Sequence, residues 1–321
     1  MAKIETALTR LLGITHPILL APMGSAAGGK LAAAVTHAGG LGLVGSGYAD
    51  AAAVTRELVA AGNARVVVGF ITWALDARPE ALRVALDAKP AAIMLSFGDP
   101  EPYAAAIRDA GSKIICQVQT MAQAEQAVRL GVDVIIAQGR DAGGHSGTTR
   151  GTMGLVPTVV DIAGSIPVVA AGGIADGRGL AAALGLGASG VSMGTRFTAT
   201  RECLWDEAMK SLVIGAGGDQ TAQTRVFDIV RGAPWPAHYP GRAIRNDFFQ
   251  RWHGREETLQ AERVDAEKGY LGSRPDDFST RVVWAGEGVD LVRDSPSAAE
   301  VIERTVAEAV SVLTRAAALV R

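Results

Sequence analysis

Cysteine is almost missing from this chain, with only Cys116 and Cys203 in 321 residues. Two distant thiols cannot build a disulfide framework, and they suit a reducing cytosol, the compartment expected for the protein. Cys116 stands inside an apolar run and reads as a small buried hydrophobe. Five scattered histidines add no ligand spacing to these cysteines, so no metal is expected. Charge of one sign is lacking too: 31 basic residues face 33 acidic ones, for a net charge of -2. That balance excludes a broad basic surface for nucleic acid or anionic membrane, and neither is an expected partner. No apolar run approaches the roughly 20 residues of a membrane-crossing helix. The first twelve residues mix Lys3, Glu5 and Arg10 with apolar side chains, and read as a short amphipathic helix rather than a signal peptide.

What the chain has is glycine, 39 residues, well above the usual share of about 7%. The glycines gather at the ends of short apolar runs. Strands are predicted over 18–21, 42–45, 66–71, 92–95, 113–118, 132–137, 167–170 and 190–193. Alanine-rich helical stretches separate them, at 31–37, 51–61, 78–88, 102–110, 121–130 and 179–186, with a weak helix over 158–163. Strands alternating with helices imply βα units and a parallel sheet. Eight of them fit a (β/α)8 barrel, a TIM barrel, and this α/β fold is the expected one. A doubly wound sheet would want Gly-x-Gly-x-x-Gly after the first strand, but that strand ends in Pro22-Met23-Gly24-Ser25. Character changes near Gly217: charge, prolines and aromatics rise, among them Trp235, Trp252 and Trp284. The expected organisation is a barrel over 1–218, an inserted lid over 219–290, and a C-terminal segment over 291–321 whose helix packs on the barrel. Val301, Thr305, Ala309 and Val312 mark one side of that helix.

In a barrel the chemistry sits at the C-terminal strand ends. Those ends read Pro22-Met23-Gly24, Gly45-Ser46-Gly47, Phe70, Ser96, Gln117, Gln138, Gly172-Gly173 and Gly194-Thr195. They are small or polar where the preceding residues are apolar, as a flat polar ligand across the mouth would require. The seventh and eighth predicted strands both end in glycine just before a helix. Free amides there make an anion site, to which the Thr195 hydroxyl can add a hydrogen bond. After the sixth strand runs Gln138-Gly139-Arg140-Asp141-Ala142-Gly143-Gly144-His145-Ser146-Gly147. A histidine between glycines at that place is the candidate catalytic residue, able to act as a base near neutral pH. His16, His37, His238 and His253 lack such a setting. Arg140 and Asp141 are weaker candidates for orienting a substrate, and Arg150 and Arg196 for neutralising a phosphate. Ser146 beside His145 does not by itself make a triad.

On these residues the chain resembles the nitronate monooxygenase family, formerly called 2-nitropropane dioxygenases. The resemblance runs from about Ile14 to Glu202. It rests on Pro17 to Gly24, Ala38 to Gly42, Gln138 to Gly147, Ala171 to Gly177 and Gly194-Thr195-Arg196-Phe197. It implies FMN rather than FAD. It places Pro22, Met23 and Gly24 against the flavin ring, and Gln117 and Gln138 on the ring or ribityl chain. Gly143 and Gly144 belong to the same cofactor-facing loop, Gly172, Gly173, Gly194 and Thr195 hold the phosphate, and His145 takes the place of the family's base. The implied reaction converts alkyl nitronates or nitroalkanes, with O2, into a carbonyl compound and nitrite. Two features depart from the family's pattern, one at the third strand and one at position 141. Gly69-Phe70-Ile71-Thr72-Trp73 lacks the asparagine common near the end of the third strand, so Trp73 is a candidate pocket wall. Asp141 stands where glutamate is common, and no lysine ends the fifth strand. An NAD(P)H-dependent flavin reductase acting on a quinone or enoyl thioester is the alternative, and a non-catalytic FMN-binding module a further one. A homo-oligomer is compatible with the sequence, Arg196 and the final helix being candidate contacts.

Overall fold

In the computed structural model, which describes residues 3–320, eight parallel strands close on one another. They are β1 (Ile18–Leu20), β2 (Leu43–Gly45), β3 (Val67–Ile71), β4 (Ala92–Ser96), β5 (Lys113–Val118), β6 (Val134–Gln138), β8 (Val168–Ala171) and β9 (Gly190–Met193). Their order in the sheet is β1-β9-β8-β6-β5-β4-β3-β2. In register, Ile18 pairs with Val191 and Leu20 with Met193 on one side. The seam between the first two strands closes where Leu19 bridges Leu41, with the Leu41 amide donating to the Ile18 carbonyl at 3.0 Å. The fold is a TIM barrel. Strands covered by helices outside and by packed side chains inside must be apolar on both faces. Accordingly β3, β4 and β6 are buried almost along their whole length.

The helices start where the sequence can satisfy their free amides. Thr120 and Gln123 form a capping box ahead of the helix Met121–Leu130, and Ser297 and Glu300 do the same for the final helix Ala298–Ala317. Of the expected apolar side of that helix, Val301, Thr305 and Ala309 are buried, and Val312 packs at the edge of the core. The helix predicted over 158–163 is in fact Thr152–Ala163, with Pro157 inside. Its true start is capped from elsewhere in the chain: the Asp141 carboxylate accepts the Thr152 amide at 2.7 Å.

Two features of the remaining chain bear on the mouth. Gly144–His145 is a short strand, β7, where the sequence suggested only a loop. It pairs antiparallel with β11 (Gly241–Ile244), which pairs in turn with β10 (Thr221–Thr224). Around this small sheet Phe227, Phe249, Trp252, Leu259 and Tyr270 form an apolar cluster of their own beside the barrel core. Among the described residues no helix is long and apolar enough to cross a membrane.

Candidate active site

The C-terminal ends of the barrel strands enclose a cavity of about 460 Å³, a size typical of cofactor and ligand sites. The predicted base and all the predicted cofactor-facing residues line it: Pro22, Met23, Gly24, Gln117, Gln138, Gly143, Gly144, His145, Gly172, Gly173, Gly194 and Thr195. At the floor, backbones approach one another so closely that a side chain would displace them. A Cβ on Gly69 would lie 2.7 Å from Cβ of Pro22, and one on Gly45 2.7 Å from the Gly24 amide nitrogen. Ser46 and Ser192 line the same cavity, and their hydroxyls have no partner among the described residues. Buried polar groups without partners are costly, and a polar ligand would relieve them.

Beyond β8, Gly172 (φ 109°) and Gly173 (φ 70°) turn the chain through left-handed conformations that a side chain would strain. The backbone amides of Gly172, Gly173, Gly194 and Thr195 donate to no acceptor among the described residues. Four free amides at two strand ends that line one cavity offer donors for an anion, an amide cradle. The Thr195 hydroxyl oxygen accepts the Gly286 amide at 3.0 Å, which leaves its proton to donate. Free amides, orphaned hydroxyls and a flat, glycine-floored cavity together suit a flavin nucleotide.

The two predicted glutamines meet each other. Gln138 Oε1 accepts from Gln117 Nε2 at 3.1 Å and from Gln119 Nε2 at 2.9 Å, while Gln138 Nε2 donates to the His145 carbonyl at 3.1 Å. Gln119 was not singled out from sequence, because it lies just past the predicted strand. The network spends the Gln138 oxygen and one of its protons, leaving one N–H for a ligand.

His145 is the only histidine among the described residues that lines the cavity. Its side chain is 10% exposed, and Nε2 lies 2.9 Å from Oδ2 of Asp228, itself 5% exposed. Trp235 stacks face to face on the imidazole, with centroids 3.5 Å apart and planes 5° apart, and Trp284 tilts against it at 5.2 Å. Burial lowers the pKa of His145 below its ordinary value; Asp228 opposes that shift, and Arg231 adds to it. The imidazole is thus held neutral near pH 7, as a base must be. Asp228, Arg231 and the two tryptophans lie far downstream of His145, and nothing in the local sequence announces that they meet it.

The other candidates fall elsewhere. Asp141 caps a helix, as described above, and the Arg140 carbonyl accepts from Arg242 Nε at 3.2 Å. Arg150 donates to the Gly154 carbonyl at 2.9 Å. Arg196 is buried inside the chain and paired with Asp294 at 2.5 Å, so it is neither a surface contact nor a lining residue of the cavity. Ser146 is buried and its oxygen accepts from Gln223 Nε2 at 2.9 Å. Trp73 stands behind the mouth, edge-on to Trp235 at 5.4 Å. His16 is buried away from the cavity with its Nδ1 unpartnered, and His238 is exposed. Cys116 is buried, its thiol pushed up to about 12 by desolvation, which leaves it unreactive. Among the described residues no three His, Cys, Asp or Glu side chains converge as metal ligands would.

Fold and site together define a flavin-dependent oxidoreductase of the barrel type. The sequence profile of the nitronate monooxygenase family matches residues 5–67 and 71–308, and the chain belongs to that family. The break in the match, residues 68–70, falls inside β3. Among its relatives, a (3aS,4S,5R,7aS)-5-hydroxy-7a-methyl-1-oxo-octahydro-1H-indene-4-carboxyl-CoA dehydrogenase of Mycobacterium tuberculosis is 32% identical, over 99% of each chain. The nitronate monooxygenase npaC of Metarhizium robertsii is 34% identical over 92% of each. Among solved structures, FabK from Thermotoga maritima superimposes with a TM-score of 0.85 at 30% identity, covering 99% of this chain and 100% of that one.

Proposed function

We propose that the chain is an FMN-dependent nitronate monooxygenase that turns alkyl nitronates, and nitroalkanes after loss of the α-proton, into a carbonyl compound and nitrite with O2. Bound FMN would supply the redox chemistry with substrate and oxygen. The amides of Gly172, Gly173, Gly194 and Thr195 hold its phosphate. The backbone of Pro22, Met23 and Gly24 would hold the flavin ring. Gln117 and Gln138 offer it hydrogen bonds, and the Gly143-Gly144 turn brings the His145 loop close. Neutral His145 removes the α-proton from a nitroalkane, and the imidazolium then balances the nitronate's negative charge. Residues 219–290 act as a lid whose Trp235 and Trp284 pack against the imidazole and hold its plane. The cytosol is its proposed location.

The observation that carries this reading is His145 itself, a buried, neutral imidazole at the mouth beside the amide cradle. The test is His145→Asn. Flavin should be retained, turnover of neutral nitroalkane should fall by roughly 10²–10⁴-fold, and turnover of preformed nitronate should fall much less. Equal losses on the two substrates would remove the base assignment.

A second reading has its own support. The likeness to a carboxyl-CoA dehydrogenase supports a flavin reductase acting on an acyl thioester, for which NAD(P)H would be the electron donor. Rapid anaerobic bleaching of the flavin by NADH or NADPH would select it.

A further inference from the structure

Asp228 lies in the buried helix Val226–Val230, outside the barrel and on the segment that covers its mouth. Its two carboxylate oxygens are divided between two partners: Oδ2 faces His145 Nε2 at 2.9 Å, and Oδ1 accepts from Arg231 Nη2 at 3.0 Å. An ionised carboxylate has no proton to give, so the ring nitrogen facing it must carry one. The other ring nitrogen, Nδ1, makes no hydrogen bond among the described residues, and unlike Nδ1 of His16 it is not sealed from solvent. The stacked Trp235 and the tilted Trp284 hold the ring plane in place.

We propose that Asp228 is a positioning residue for His145: it fixes the Nε2–H tautomer and so leaves Nδ1 as the proton-accepting atom. The inference rests on the reading of His145 as the base. In the step it serves, the α-C–H bond of the nitroalkane breaks, the proton joins Nδ1, and the electron pair moves onto the nitro group. The Asp228 carboxylate balances the positive charge then held by the ring, while Arg231 balances Asp228 in the resting state.

The geometry makes an unusual demand on the isosteric variant. Asparagine has one oxygen and one NH2 group. In Asp228→Asn, Arg231 still needs an acceptor and claims the oxygen, so the amide must point at His145 Nε2. That nitrogen must then accept, which moves the imidazole proton to Nδ1 and blocks the base. Replacing Arg231 as well, in Asp228→Asn/Arg231→Leu, frees the amide to turn its oxygen toward Nε2.

The experiment is 15N NMR of histidine-labelled, flavin-loaded protein, with the His145 signals assigned by their loss in His145→Asn. Nitroalkane and nitronate turnover are measured on the same samples. The expected result is Nε2–H in the parent protein, Nδ1–H in Asp228→Asn, and a return toward Nε2–H in the double variant. Nitroalkane turnover should drop on the order of 10²-fold in Asp228→Asn and partly recover in the double variant, with nitronate turnover far less affected. Nδ1–H in the parent protein, or an unchanged tautomer in Asp228→Asn with parallel losses on both substrates, would overturn the proposal. If no nitroalkane is turned over by the parent protein, the functional reading fails, while the NMR tautomers still decide the role of Asp228.

Discussion

At the scale of single residues, two kinds of group make the site: backbone amides at glycine turns, and the buried imidazole of His145. Glycines at strand ends can be read directly, because a turn after a strand and a missing Cβ are local facts. Gly172, Gly173, Gly194 and Thr195 are therefore found together at one rim. The electrostatics of His145 were not legible, because its pKa depends on Asp228 and Arg231 and on burial under Trp235. That dependence gives a pH prediction with a definite sign. Below about 6.5 the unfolded chain takes up the proton that folded His145 resists, and the same holds for buried His16. Their contribution to stability is complete above that pH and is lost as pH falls through the lowered folded values. The acid limb of nitroalkane turnover should correspondingly lie below the ordinary histidine range, and a limb centred above 6.5 would contradict the burial argument. Gly173 offers a second test. Its φ is 70° and a Cβ would meet only the Cβ of Asp141 at 3.4 Å, so Gly173→Ala is penalised mainly by backbone conformation, about 1–2 kcal/mol. Flavin titration should show weaker binding by roughly tenfold, in protein that still folds.

At the scale of elements, periodicity placed all eight barrel strands within a residue or two, since each is a short apolar run bounded by glycine or a helix start. It missed β7, β10 and β11 for one physical reason. Gly144–His145 is only two residues long and is a strand solely because Gly241 and Arg242 pair with it. No local propensity encodes a bridge to a partner so distant in the chain. The pairing ties the position of His145 to the packing of β11. A Cβ on Gly241 would run into the six-membered ring of Trp284, which itself leans on the imidazole. Gly241→Ala should therefore strain this sheet by about 1–3 kcal/mol. Nitroalkane turnover should fall while the bound flavin spectrum is kept, a split that turnover and absorbance on one sample would reveal. Unchanged kinetics would mean that the small sheet does not position the base.

At the scale of the molecule, the βα alternation made the barrel legible, but the covering of its mouth was not. The aromatic, proline-rich composition of 219–290 signalled a change of character without showing where it folds. The covering is assembled from far-apart pieces: Trp235 reaches Tyr48 through an Nε1–H to hydroxyl bond of 3.1 Å and packs edge-on to Phe97 at 5.0 Å. On the opposite flank the final helix docks so closely that a Cβ on Gly177 would meet the backbone of Thr305 and Ala309. Gly177→Ala should cost about 1–3 kcal/mol, seen as a lower urea midpoint with flavin chemistry unchanged in the folded fraction. The central claim concerns which electron donor the loaded enzyme recognises. Its most direct test is anaerobic stopped-flow absorbance of the flavin-loaded protein, mixed in parallel with propyl-2-nitronate and with NADH or NADPH. The account predicts a rapid change in the flavin spectrum with the nitronate and none with either nicotinamide. Fast bleaching by a nicotinamide, with no response to the nitronate, would contradict it.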